Sequence, residues 1–96
     1  MKLCIFAVYD QKAGAYLPPF FLPEVAMAIR TFGDCINDEK HQWGLHPEDY
    51  TLFHLGDWNN VSAEFSTILK TKSLGVGTEY IMEIEKQMQP RLQGVE

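Results

Sequence analysis

Leu3-Cys4-Ile5-Phe6-Ala7-Val8-Tyr9, followed by Asp10-Gln11-Lys12-Ala13-Gly14 and then Ala15-Tyr16-Leu17-Pro18-Pro19-Phe20-Phe21, is the stretch whose reading decides the fold. The first run is apolar on both parities, the pattern of a strand covered on both faces. The Asp, Lys and Gly that follow supply turn chemistry. Ala15–Phe21 predicts a short returning strand, and Pro18 and Pro19 confine it to an edge because proline cannot donate to a ladder. No catalytic constellation lies in this stretch.

Downstream, an amphipathic helix is expected at about 23–36. Pro23 suits a first helical position and Glu24 complements the positive end of the dipole. Val25, Ala28, Ile29, Phe32 and Ile36 form one apolar face, which must lie on a sheet. Gly33 weakens the last turn by about 1 kcal/mol relative to Ala, and Asn37-Asp38 ends the helix. Residues 38–49 read as a polar loop in which Pro47-Glu48-Asp49 opens a single helical turn. Tyr50–Leu55 alternates as a strand, with Tyr50, Leu52 and His54 on one side and Thr51, Phe53 and Leu55 on the other. Gly56-Asp57-Trp58-Asn59-Asn60 reads as a turn, and Glu64–Lys70 pairs back with Phe65, Thr67 and Leu69 on one face. Leu74-Gly75-Val76-Gly77 reads either as a helical turn or as an extended edge.

Ile81, Ile84 and Met88 share a helical stripe that Pro90 ends, so a peripheral C-terminal helix is expected, with a frayed tail after it. The order predicts an α+β fold: a three- to four-stranded, mainly antiparallel sheet with the 23–36 helix on one face. Residues 1–80 form the single domain, and 81–96 are a C-terminal helix or flexible tail.

Composition narrows the function. Ninety-six residues that are 46% hydrophobic, with six Phe, four Tyr and two Trp, suffice for one core. A formal charge of −5 opposes nonspecific attraction to phosphates. Two cysteines without a CxxC pair are expected to be buried, reduced thiols. No apolar run approaches the roughly 18 residues of a membrane span, and Met1–Val8 reads as a strand rather than a signal peptide.

His41, His46 and His54, with Cys4 and Cys35, show no metal-binding spacing, so no metal and no cofactor is expected. Asp34, Asp38, Glu39, Glu48 and Asp49 read as a solvated charged loop, and Leu74–Gly77 lacks a phosphate-binding pattern. An enzyme is not expected. Single-strand nucleic-acid binders stack bases on aromatics and track the backbone with Lys or Arg. On that chemistry the candidates are Lys12, Tyr16, Trp43, Trp58, Lys70 and Lys72, with Tyr9, Phe20 and Phe21 as further aromatics. The competing reading makes Tyr9, Phe20 and Phe21 core and has Trp43 and Trp58 cap the sheet edges. Ile81, Ile84 and Met88 are candidates for self-association into a homo-oligomer, expected to be a dimer.

Val8–Ala13, Ala15–Phe20, Asn37-Asp38, His41-Gln42, His46–Phe53, Leu55-Gly56, Leu69–Thr71 and Ser73–Gly75, taken in order, resemble the small non-structural protein of gokushovirus-type microviruses, which are single-stranded-DNA bacteriophages. The resemblance covers about residues 3–80. It implies a protein of the infected bacterial cytoplasm, absent from the mature virion, that binds DNA and acts in viral single-stranded DNA synthesis. The alternative it leaves is a non-enzymatic adaptor for a phage or host replication or assembly protein. It supplies no catalytic residue.

Overall fold

The computed structural model describes residues 1–82, apart from the side chains of Ile68, Leu69 and Lys70. Five strands form one fully antiparallel sheet: β1 (Lys2–Asp10), β2 (Ala15–Tyr16), β3 (Phe20–Leu22), β4 (Tyr50–Asn59) and β5 (Phe65–Val76). β1 and β4 are central, and β5 is the outer strand on one side. On the other side β2 and β3 both pair with β1, end to end along its edge.

The sheet therefore has more strands than the three or four expected, because the double proline divides the returning strand. Pro18 and Pro19 fall between β2 and β3, where no ladder donor is required. Leu17 still donates to the Val8 carbonyl at 2.8 Å, which holds the interrupted edge against β1.

A second correction concerns Gly56–Asn60, which is strand rather than turn. β4 runs through it to Asn59, and Gly56 sits at an irregularity in the pairing with both neighbouring strands. Its φ is 159°, nearly extended, and a Cβ there would run into the Ser66 carbonyl and come within 2.9 Å of Thr67 Cα. Close approach of β5 is thus what requires glycine. The actual turn follows at 60–63. The Asn59 side chain accepts from Val61 N–H at 2.8 Å and Ser62 N–H at 3.3 Å, while Ala63 takes a left-handed φ of 64°. β5 is correspondingly longer than expected, and Leu74–Val76 is extended rather than helical.

Helix α1 (Val25–Ile36) begins two residues later than expected, with Pro23 outside it and Glu24 at the N-cap. Ala28, Phe32 and Ile36, four apart, are buried against the sheet with Phe6, Val8, Tyr50 and Leu52. Ile29 belongs to the solvent side, 37% exposed, because a step of about 100° from Ala28 rotates it off the contact line. Burying Phe6, Phe32, Leu52 and Val8 this fully contributes about 1.5–3 kcal/mol for each.

The loop expected at 38–49 contains helix α2 (Gln42–Leu45) and, as anticipated, one 3-10 turn over Pro47–Asp49. A further 3-10 turn, Gly77–Tyr80, packs on α1. There Tyr80 meets Phe32 edge to face at 4.9 Å and donates its hydroxyl to the Leu74 carbonyl at 2.6 Å. Asn37 secures this end by donating to the Tyr80 carbonyl at 2.9 Å and accepting from Met82 N–H at 2.9 Å. Ile81 packs at the core margin. Ile84, Met88 and the C-terminal helix expected around them lie outside the described residues.

Candidate functional site

Strand alternation sends opposite sets of side chains to the two sides of the sheet. On the α1 side the cross-strand rows are Val8/Leu52/Gly75, Phe6/Phe20/His54/Lys72 and Cys4/Leu22/Asp57/Ser66. The opposite side carries Tyr16/Tyr9/Thr51/Val76, then Ala7/Phe53/Ser73, then Phe21/Ile5/Gly56/Thr67, then Leu3/Trp58/Phe65. None of these open-face positions is charged, so the carboxylates behind the charge of −5 do not project from its strands.

No helix among the described residues covers that face. Its rings cover it instead. At one end Tyr16 meets Tyr9 edge to face at 4.9 Å and Phe53 at 5.5 Å. At the other, Trp58 meets Phe21 at 5.8 Å and Phe65 at 6.3 Å. Ile5 and Ala7 lie between the two groups, buried to 7% and 1% exposure. The outer rings remain available: Tyr16 is 50% exposed, Phe21 40% and Phe65 64%. An apolar groove of about 560 Å³ opens between Leu3, Phe21, Trp58, Ala63 and Phe65. Along β4, Phe53 and Trp58 are roughly 17 Å apart at about 3.3 Å per residue, a span of a few nucleotides of extended single strand.

The sequence candidates divide accordingly. Tyr16 and Trp58 share the open face. Trp43 does not: from α2 it packs on Phe32 at 5.5 Å and Tyr50 at 6.1 Å, on the far side of the sheet. Its N–H donates to His41 Nδ1 at 3.0 Å, which makes His41 the cap of α2. Lys12 is exposed in the turn after β1, with its N–H on Asp10 Oδ1 at 3.0 Å. Lys72 is exposed on β5 but belongs to the row of His54, on the α1 side. The Lys70 side chain lies outside the described ones. Lys12 and Lys72 therefore do not converge. Phe53 and Phe65 were absent from the candidate set. Alternation placed each on one side of its strand, but only the pairing register brings them beside Tyr16 and Trp58.

The α1 side holds a separate polar group. Cys4 and Asp57 are cross-strand partners, and the irregular pairing at Gly56 brings His54 beside them. His54 Nε2 is 3.6 Å from Asp57 Oδ1 and 3.1 Å from the Gly56 carbonyl, and its ring stacks on Phe6 at 5.2 Å. The Cys4 thiol donates to the Pro23 carbonyl at 3.7 Å. Burial pushes this thiol's pKa up, and the charges of Asp57 and Glu24 push it further. Both cysteines are free and half-buried rather than fully buried.

The model of the phage ORF5 protein family matches residues 3–80, from the first strand through the last described turn. The chain belongs to that family. No curated protein and no solved structure matches it. Membership makes this a phage protein, and the matched span contains both aromatic groups and, but for Lys2 at the start of β1, all five strands. No helix among the described residues is long and apolar enough to cross a membrane.

Proposed function

We propose that this phage protein binds single-stranded DNA by stacking bases on the open face of its sheet. The observation that carries the reading is the placement of Tyr16 and Phe53 at one end and Phe21, Trp58 and Phe65 at the other end of one face whose paired positions are uncharged. A base presents its π-face to such rings whatever its identity, and each stack contributes about 1–3 kcal/mol. A sheet displaying aromatics is also the geometry by which four-stranded RNA-recognition domains take two or three bases. In this reading the protein is a binder rather than a catalyst, and the lysines contribute from the periphery.

The resemblance to the gokushovirus non-structural protein supplies the setting: viral single-strand synthesis in the cytoplasm of the infected bacterium, outside the mature virion; the Ile81, Ile84 and Met88 stripe is the sequence feature that favours a homo-oligomer. Fluorescence anisotropy with a labelled single-stranded oligonucleotide tests the reading. Binding by the native protein that weakens in Tyr16→Ala and in Phe65→Ala supports it. Absence of binding at low salt, with the variants folded, overturns it.

One observation favours a second reading, an adaptor for a phage or host replication protein. The groove at Phe21, Trp58 and Phe65 is apolar, and exposed apolar patches of this kind serve protein contacts. Under that reading Phe65→Ala abolishes capture of a phage-encoded or host replication protein while oligonucleotide binding is absent from the start.

A further inference from the structure

We infer that Cys4, His54 and Asp57 form a binding site for a single thiophilic divalent cation, of which zinc is the natural example. The three side chains come from two adjacent strands, and one ligand atom from each lies within 4.8 Å of the other two. Tetrahedral zinc with bonds of about 2.0–2.3 Å holds its donor atoms roughly 3.3–3.8 Å apart. The His54 Nε2–Asp57 Oδ1 distance of 3.6 Å is already at that spacing. The Gly56 carbonyl, 3.1 Å from Nε2, stands where it can provide a fourth, oxygen donor.

The donor chemistry selects the metal. One thiolate, one imidazole and one carboxylate form a mixed soft and borderline set that suits zinc or cobalt and disfavours magnesium or calcium, which take oxygen donors. Electrostatics agree: Asp57 and Glu24 put negative charge beside Cys4, which a cation relieves. The site is also preorganised. His54 is fixed by its stack on Phe6, and the Cys4–Asp57 separation is set by the strand register.

On binding, the Cys4 thiol releases its proton to solvent, and the sulfur lone pair forms the bond to the metal. The His54 nitrogen facing the site presents its lone pair while the ring keeps its N–H on the other nitrogen. No oxidation state changes. The site lies on the α1 side of the sheet, so it stands or falls independently of DNA binding on the open face.

Cobalt(II) titration of the reduced, metal-free protein tests it. The expected result is one equivalent bound, a thiolate-to-cobalt charge-transfer band in the near ultraviolet, visible bands of tetrahedral intensity, and a rise in Tm. Cys4→Ser removes the charge-transfer band, and Asp57→Asn and His54→Phe weaken binding by about tenfold or more. His54→Phe keeps a ring against Phe6 and so separates loss of metal from loss of fold. Cys35→Ser leaves the spectrum unchanged. The inference is overturned by absence of the band, by its loss in Cys35→Ser rather than Cys4→Ser, or by binding that survives Cys4→Ser and maps to the group formed by His46, Glu48 and Asp49.

Discussion

Tyr16 and Phe53 meet edge to face at 5.5 Å although their strands are not neighbours. β1 runs between β2 and β4, and its Ala7, the register partner of Phe53, is only 1% exposed on a face that no helix among the described residues covers. A methyl group at residue 7 is what lets rings from the two flanking strands close over the central one. The open face is therefore a packed aromatic surface. Ala7→Leu is expected to force these rings apart and to lower stability by about 1–3 kcal/mol. Urea denaturation measures the loss, and oligonucleotide affinity falls with it.

The two tryptophans report on opposite sides of the sheet. Trp43 packs on Phe32 and Tyr50, whereas Trp58 lies on the open face between Phe21 and Phe65. In a Trp43→Phe background, single-stranded oligonucleotide is expected to quench the remaining fluorescence. In a Trp58→Phe background it leaves the emission unchanged. Quenching confined to Trp43 would remove the open face as the binding surface.

Because none of the paired open-face positions carries charge, DNA affinity is expected to depend only weakly on salt. Neutralising each phosphate of a single strand contributes a slope of about −0.7 in log K against log salt. A slope corresponding to roughly one or two phosphates is expected, contributed by peripheral lysines such as Lys12. A steep slope would locate binding on a basic surface elsewhere in the chain.

Two glycines are expected to respond differently to substitution. Gly77 is buried, and a Cβ there would collide with the Pro47 carbonyl and come within 2.6 Å of Ile36 Cδ1. Gly77→Ala therefore overpacks the junction of two 3-10 turns, with a loss of roughly 1–3 kcal/mol. Gly14 has open space around its Cα but a φ of 69°, so Gly14→Ala costs about 1 kcal/mol through backbone strain alone. Asn tolerates the left-handed region, so Gly14→Asn recovers much of that loss while Gly77→Asn recovers none. Thermal unfolding of the four variants distinguishes the two causes.

Alkaline stability reports on Tyr80. Burial raises its hydroxyl pKa above the ordinary value of 10.0, and the charge of Glu79 adds to the rise. The folded state then holds this proton more tightly than the unfolded chain does. The associated stability is fully present below about pH 10 and is lost as pH rises through the folded pKa. Tyr80→Phe lacks the ionisation and is expected to show a shallower fall in Tm over that range, measured by circular dichroism.

Much of the fold was legible because local chemistry and tertiary role coincide. Leu3–Tyr9 is apolar on both parities and forms the central strand; Ala28, Phe32 and Ile36 recur every four residues and cover it. Legibility ended where one local signal has two uses. Gly56-Asp57-Trp58-Asn59-Asn60 has the composition of a turn, yet its glycine admits the close approach of β5 and its Asn59 organises the turn that follows. Ile29 fits a helical stripe in sequence but falls to the solvent side once α1 is docked.

The sequence alone determined the α+β class, the central strand, the edge interrupted by Pro18-Pro19 and the aromatic supply, since these follow from side-chain polarity, periodicity and proline's missing N–H. Only the tertiary structure decided which aromatics act together. Strand register, including the irregular pairing at Gly56, assembled Tyr16 with Phe53 and Trp58 with Phe65 on one face and placed Cys4, His54 and Asp57 on the other, while Trp43 packs against the core from α2. The physical reason is that alternation assigns each residue to one of two sides of its strand, while neighbours across strands are chosen by non-local hydrogen bonding and by packing against α1.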